Sequence, residues 1–291
     1  MKWIIFFLML FPNLIFSQIN GVVVDEDKQP LWYVNIWNKD LSAGATTDIE
    51  GKFKVEKANI NDSLVLSLQG YESKTVQALE NDTIILKLIW EPEPGLLVYP
   101  EKSLKQVLGN SFMQNFFFSP GNTPWIFVKF FKNDVSNKSI KYIDKVIVFT
   151  KSNVAEATFK LRLIKPNEKG EPSVDLITEP IIVHVKRGNK KNTIDLLKYN
   201  MKIPKEGVFV GVEWILSHNN QIKSFNFFKG EELVFLDYKY APDLVCNKVE
   251  ESNAYRYIAG EWKRNDEFIK TKELNEEMPI IEPAINLILS N

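Results

Sequence analysis

The feature that most constrains this chain is a period-two alternation of apolar and polar side chains along most of its length. Leu64, Leu66 and Leu68 alternate with Ser, Val and Ser, and similar patterns run over 181–185 and 208–214. Such alternation is typical of β-strands, because successive side chains of a strand point to opposite faces. No helical period is sustained anywhere, so the sequence predicts an all-β protein built from sandwiches.

The first residues read as an export signal. Residues 1–17 begin with Lys2, continue as an apolar run from Trp3 to Phe16, and end on the small residue Ser17. This pattern predicts a secretory signal peptide, with an uncleaved anchor as the alternative. The run is not followed by a cysteine, so lipid attachment there is excluded. No later stretch approaches the ~20 apolar residues of a transmembrane helix, so no membrane span is expected after removal of the signal.

Composition excludes several classes of function. The chain has 291 residues, 45% of them hydrophobic and 25% charged, which is a globular composition. A formal net charge of −1 argues against an electrostatic nucleic-acid binder. Cys246 is the single cysteine, so an intrachain disulfide and a multi-cysteine metal site are excluded. With His184 and His218 as the only histidines, neither a metal site nor a cofactor is expected.

Residues 19–89 contain short strands separated by turn residues. Turn clusters occur at 25–30, around Gly51 and around Gly70, and strands at this spacing predict a small β-sandwich. Recurring elements appear in order: G-x-V-x-D, Gln-Pro-Leu, Val-Asn-Ile, Gly with Thr-Thr-Asp, Gly-x-Phe and Gly-Tyr. This run resembles the carboxypeptidase-like regulatory domain. The resemblance implies a transthyretin-like β-sandwich without catalytic residues, of the kind found at the N-termini of Gram-negative envelope proteins.

A linker is predicted over residues 90–111. Pro92, Pro94 and Gly95 stop a strand and stiffen the chain. Residues 102–108 are expected to form one short helix within this linker.

Residues 112–291 again alternate, over eight or more strands, and predict a jelly-roll-like β-sandwich. The stretch from Phe159 to Ile215 resembles the domain that follows the regulatory module in a group of secreted or envelope proteins. That resemblance implies no assigned activity.

Motifs for catalysis are missing. The sequence contains no G-x-S-x-G, H-E-x-x-H, P-loop or G-x-G-x-x-G. One enzymatic hypothesis is kept, a jelly-roll glycosidase that uses two carboxylates on a concave face. Its candidate is Glu213, which strict alternation places with Phe209 and Gly211, on either a concave or a solvent-facing side.

Aromatic residues are the stronger binding signal. Trp125, Trp262, Tyr238 and Tyr240 have polar neighbours and are tentative ligand-binding residues, with partly buried packing as the alternative. In the first domain, two bulky residues stand where smaller ones are common in the family, and they are tentative contacts with a partner or the second domain: Trp32 and Trp37.

Together these features lead to a functional hypothesis. The chain is predicted to be a non-catalytic binding or scaffolding protein, exported to the periplasm or the outer-membrane surface of a Gram-negative bacterium. A protein partner is expected there, and glycan binding through the aromatic residues of the second domain is the alternative.

Overall fold

The computed structural model describes residues 18–89, 103–109, 111–227, 234–266 and 279–291. The predicted signal peptide and most of the predicted linker lie outside the described residues. Across these ranges the fold is all-β, as predicted, with strands arranged in several sheets. No helix in this part of the chain is long and apolar enough to cross a membrane.

The first domain is a small sandwich of two sheets. The strands are β1 (Gln18–Val24), β2 (Asn35–Asn38), β3 (Gly44–Thr46), β4 (Lys52–Glu56), β5 (Ser63–Ser67), β6 (Lys74–Gln77) and β7 (Asp82–Ile85). One sheet has the order β4-β1-β7 and the other β3-β2-β5-β6, and all neighbours are antiparallel except β1 and β7. The core between the sheets includes Val23, Ile36, Phe53 and Leu66.

Gly51 closes the turn that leads into β4. Its φ of 73° is in the left-handed region, and a Cβ there would lie 2.5 Å from the carbonyl oxygen of Val23. Only glycine fits both requirements without strain, so the Gly-x-Phe element is explained by this turn.

The second domain contributes the remaining strands. Two short 3-10 turns, Leu197–Tyr199 and His218–Asn220, interrupt them. The strands are β8 (Lys105–Leu108), β9 (Phe116–Phe118), β10 (Ile126–Phe131), β11 (Tyr142–Ser152), β12 (Ala157–Pro166), β13 (Pro172–Asp175), β14 (Ile181–Val185), β15 (Gly188–Asp195), β16 (Val208–Trp214), β17 (Gln221–Phe227), β18 (Val234–Tyr240), β19 (Asp243–Lys248), β20 (Ala254–Ile258), β21 (Glu261–Arg264), β22 (Ile281–Pro283) and β23 (Ile285–Ser290).

Two sheets of this domain enclose its core. The sheet that faces the first domain, here called the docking sheet, has the order β13-β12-β16-β10-β20-β21, with β14 also paired to β12. The distal sheet has the order β22-β19-β11-β23-β8, with β15 beside β11 and β9 beside β19. The chain passes between the two sheets repeatedly, as in Greek-key and jelly-roll sandwiches. Strands β17 and β18 form a separate ribbon.

The helix expected over residues 102–108 is not formed. Lys105–Leu108 is a strand that pairs antiparallel with the last strand, β23. The reason lies in the tertiary structure. A helix this short has little stability on its own, whereas β23 provides hydrogen-bond partners for the backbone of the segment. The second domain therefore begins before residue 112.

Cys246 is fully buried in the sandwich core of the second domain, and burial raises the pKa of its thiol to about 12. Because the thiolate is the reactive form, we expect the native protein to be inert to a thiol-specific reagent at pH 8. Stoichiometric labelling should appear only after unfolding in guanidinium, as measured with Ellman's reagent. Rapid labelling of the native protein would contradict this placement.

Candidate functional site

The two domains meet through an apolar seam. It consists of Trp37, Val65, Ile126, Val128, Ile164, Phe209 and Tyr257, all of them buried. On β5, Leu64 and Leu66 face the core of the first domain while Val65 faces the seam. Strand β5 is therefore covered on both faces, although its alternating sequence predicts a half-buried strand. The second face is covered by the docking sheet.

Trp37 occupies the centre of this contact. The side chain is fully buried, and its indole N–H donates a hydrogen bond of 2.6 Å to the carbonyl oxygen of Pro124. Its ring lies edge-on to Tyr257, with 5.7 Å between centroids. Gly44 permits the close approach of β3 to Pro124 of the second domain, because a Cβ at position 44 would lie 2.5 Å from Cδ of Pro124. Trp37 thus lies between the two domains, and a partner protein has no access to it.

Glu213 lies on the seam side of β16, together with Phe209 and Gly211. Its side chain is 1% exposed. Oε1 accepts hydrogen bonds from Nζ of Lys160 at 2.7 Å and from Nδ2 of Asn35 at 2.8 Å, and Oε2 accepts one from Arg162. The sequence did not decide whether the Glu213 face of β16 is concave or solvent-facing. In the structure it is neither, because the first domain covers it.

Four side chains form what we call the buried charge cluster: Lys160, Arg162, Asp175 and Glu213. Arg162 makes a bidentate pair with Asp175, from Nε to Oδ1 at 2.9 Å and from Nη2 to Oδ2 at 2.6 Å. Lys160 also donates a 2.6 Å hydrogen bond to the carbonyl oxygen of Tyr33 in the first domain. Two cations and two anions balance, so the cluster is neutral and joins the domains.

The ionisation of the cluster follows from burial and mutual pairing. Burial raises the pKa of Glu213, but the charges of Lys160 and Arg162 outweigh it and hold that pKa below its ordinary value. Burial lowers the pKa of Lys160 despite Glu213, and raises the pKa of Asp175 despite Arg162. The pKa of Arg162 is raised, because Asp175 and Glu213 outweigh its desolvation. Glu213 is thus a carboxylate held between fixed donors.

This arrangement does not fit the glycosidase hypothesis. A general acid or nucleophile must reach the glycosidic bond, and the acid needs a raised pKa. Glu213 meets neither requirement, since it is enclosed by both domains and held ionised. Glu213 lies between the two domains and lines none of the three grooves described below.

A first groove runs along one side of the seam and is here called the Trp262 groove. It has a volume of about 530 Å³ and is lined by Tyr71 and Glu72 of the first domain and by Lys165, Tyr257 and Trp262 of the second. Trp262 packs against Tyr257, with ring centroids 5.0 Å apart. One of the four tentative ligand-binding aromatics therefore lines a cleft between the domains.

A second groove, here called the tyrosine groove, contains two more of them. Its volume is about 780 Å³, and Tyr238 and Tyr240 line it together with Lys52 and Lys54 of β4. Tyr238 and Tyr240 are two residues apart on β18 and share one face. The structure thus brings these two tyrosines together but separates them from Trp262.

Trp125 is in neither groove. It is half-buried, packs against the core of the second domain and lies 5.2 Å from the ring of Phe118. The guanidinium of Arg256 is within 4.7 Å of the ring centroids of Phe118 and Phe127 and 5.5 Å from that of Trp125. Burial lowers the pKa of Arg256 to about 10. Trp125 therefore forms one side of a stack in which the guanidinium of Arg256 lies against the rings of Phe118, Phe127 and Trp125.

Replacing Trp125 with alanine tests that role. We expect the free energy of unfolding to fall by about 2 kcal/mol, because the variant opens one side of the stack. Urea denaturation followed by circular dichroism measures this change. Unaltered stability would contradict a packing role and return Trp125 to the binding candidates.

Trp32 is the tentative contact residue that remains accessible. Its side chain is 44% exposed and lies against Tyr33, with ring centroids 5.0 Å apart. Tyr33 has a φ of 59°, which is unusual for a bulky residue. In this conformation the carbonyl oxygen of Tyr33 accepts the hydrogen bond from Nζ of Lys160. The side chain of Trp32 is exposed at the surface of the first domain.

The two histidines line a third groove, of about 440 Å³, together with Asp48 and Glu156. Within the described ranges no group of three or more histidine, cysteine or acidic side chains is placed to hold a metal ion. This groove has no further feature that indicates a ligand.

Comparison with known families agrees with the fold of the first domain. Residues 19–94 match the model of the CarboxypepD_reg-like domain. The chain therefore carries a carboxypeptidase-regulatory-like domain at its N-terminal side, as the sequence resemblance predicts, and that domain is non-catalytic. Among curated proteins, none matches the chain.

Sequence reasoning missed the buried charge cluster. Lys160 and Arg162 alternate with apolar residues on β12, a pattern that predicts a solvent-facing side. One feature of the sequence could have revealed that this face is covered. Ile164 lies on the same face of β12 as Lys160 and Arg162, and Phe209 and Gly211 lie on the corresponding face of β16. Apolar residues on the outer faces of adjacent strands indicate that something covers them.

Proposed function

We propose that this protein is a non-catalytic binding or scaffolding protein of the bacterial envelope that acts through a protein partner. The observation that supports it best is the interface between the domains. The buried charge cluster and the apolar seam occupy the charged and apolar side chains that would otherwise suggest chemistry on the docking sheet. Such an interface holds two domains as one unit, which suits a scaffold.

Location at the envelope belongs to the same proposal. It rests on the predicted signal peptide over residues 1–17 and on the envelope proteins in which regulatory-like domains are found. Fractionation of cells that express the full chain tests it. The mature protein is expected outside the cytoplasm and shortened near Ser17, and a full-length cytoplasmic product would refute export.

Trp32 is the residue at which a protein partner is best sought. Exposed tryptophans are frequent centres of protein interfaces, and this one is held out by the turn at Tyr33. A photo-crosslinking amino acid at position 32 is expected to give one discrete adduct in cells of the native host. The same probe at exposed Glu206 serves as the control. Equal labelling from both positions would argue against a contact at Trp32.

Carbohydrate recognition is the second candidate function. The Trp262 groove favours it, because it combines aromatic rings with polar side chains in one cleft formed by both domains. Trp125, in contrast, has the surroundings of a packing residue.

A further inference from the structure

We propose that the Trp262 groove is a binding site for a neutral oligosaccharide, with Trp262 and Tyr71 as the aromatic walls. This inference rests on carbohydrate recognition, the second candidate function, and assigns it a site and a class of sugar. The site belongs to the docked pair of domains and not to the second domain alone.

Both domains supply the walls of the groove. The first domain contributes the loop between β5 and β6, including Tyr71, Glu72 and Ser73. The second contributes Lys165 and Trp262, from β12 and β21. Gln69 donates a 2.7 Å hydrogen bond to the carbonyl oxygen of Ile177 and so ties the β5–β6 loop to the second domain. The groove is therefore formed before any ligand arrives.

The side chain of Trp262 is held in place by its neighbours. Its ring packs on Tyr257, whose hydroxyl lies 3.2 Å from Oγ of Ser73 and shares a hydrogen bond with it. A side chain that is already ordered loses little conformational entropy when a ligand binds. A held aromatic ring with polar neighbours suits the apolar C–H face of a sugar, whose hydroxyls need nearby donors and acceptors.

The charges around the groove favour a neutral ligand. The guanidinium of Arg162 is shared by Asp175 and Glu213, so its charge is balanced within the buried charge cluster. The exposed rim carries one acid, Glu72, and one base, Lys165. Neither an anionic nor a cationic sugar would therefore find a net opposite charge.

The mixed polarity argues against a wholly apolar ligand. Val174 and Ile89 give the groove an apolar rim, with exposures of 52% and 55%. Glu72, Lys165 and Asp175 line the same groove. An entirely apolar occupant would desolvate these charged groups without replacing their hydrogen bonds to water, which is costly. A polyhydroxylated ligand replaces those bonds.

Isothermal titration of the chain from residue 18 onward tests the site. The probes are neutral hexasaccharides of β-1,4-glucan, α-1,4-glucan, β-1,4-xylan and β-1,4-mannan, with oligogalacturonate as the charged comparison. We expect at least one neutral probe to bind, and Trp262→Ala to weaken its binding by about tenfold or more. Phe112→Ala is the control, since it removes an exposed aromatic side chain outside the groove, and it should bind as the wild type does. Near-ultraviolet circular dichroism and thermal unfolding verify that each variant is folded.

Each other outcome overturns the inference in a distinguishable way. Neutral-sugar binding that survives Trp262→Ala leaves carbohydrate recognition standing but places it elsewhere. Binding of oligogalacturonate alone refutes the neutral class. If no neutral probe binds, the saccharide site and carbohydrate recognition both fail, and the crosslinking at position 32 decides the protein-partner function separately.

Discussion

Replacing Glu213 with alanine is expected to lower the free energy of unfolding by about 3–5 kcal/mol. The variant leaves the ammonium of Lys160 and the guanidinium of Arg162 buried with one carboxylate between them. It also removes the acceptor of the Asn35 amide in the first domain. Breaking one member of a buried ionic group costs more than the group contributes as a whole, because the remaining charges stay desolvated. Urea unfolding monitored by tryptophan fluorescence measures the change.

Two comparisons sharpen this test. Glu206 is exposed, and Glu206→Ala should change stability by no more than about 0.5 kcal/mol. The double variant Lys160→Met/Glu213→Leu removes one cation and one anion together, so it should regain much of the loss seen in Glu213→Ala. If Glu213→Ala proves as stable as Glu206→Ala, the cluster does not hold the domains together.

Replacing Glu213 with glutamine tests the pH dependence of the cluster's contribution to stability. The pKa of Glu213 in the folded protein is held below its ordinary value of 4.5. Its contribution to stability is therefore complete above about pH 4.5 and is lost as the pH falls through the folded-state pKa. The stability difference between wild type and Glu213→Gln should thus narrow on acidification from pH 7 to pH 3. A difference that widens toward acid would contradict the ionised state of Glu213.

Replacing Trp37 with alanine is the second change expected to have a large effect. The side chain is fully buried, so its removal opens a cavity in the seam and should cost about 3–5 kcal/mol. It also leaves the carbonyl oxygen of Pro124 without its 2.6 Å hydrogen bond from the indole. Because Trp37 contacts the second domain, we expect the variant to unfold in two steps where the wild type unfolds in one. Differential scanning calorimetry distinguishes one transition from two.

Trp32→Ala is the matched control for Trp37→Ala. Both residues are tryptophans of the first domain, five positions apart, but Trp32 is 44% exposed. Its replacement should change stability by only about 0.5 kcal/mol and leave a single transition. Equal effects of the two variants would mean that the seam does not depend on Trp37.

Local sequence was sufficient for the first domain and for the strands whose side chains alternate. The turn at Gly51, the alternation along β5 and the motif elements shared with regulatory-like domains each follow from neighbours in the chain. Period two is a property of a single strand, and it does not depend on what covers either face.

The site was less accessible to such reasoning. Alternation assigns Lys160, Arg162 and Glu213 to the face opposite the sandwich core, and it assigns them correctly. It does not say whether that face meets water or another domain. Polar residues usually indicate water, and here they lie beneath the first domain because their charges balance and their hydrogen bonds are made between the two domains.

The sequence alone determined that this is an all-β chain with a regulatory-like first domain, because alternation and turn chemistry are encoded by residues close in the chain. Tertiary structure decided that residues 105–108 become a strand, that Trp37 is enclosed while Trp32 is exposed, and that Trp262 shares a groove with Tyr71. These outcomes depend on contacts between residues far apart in sequence. For residues 105–108 the partner is the last strand of the same domain, and for Trp37 and Trp262 it is the face of the other domain.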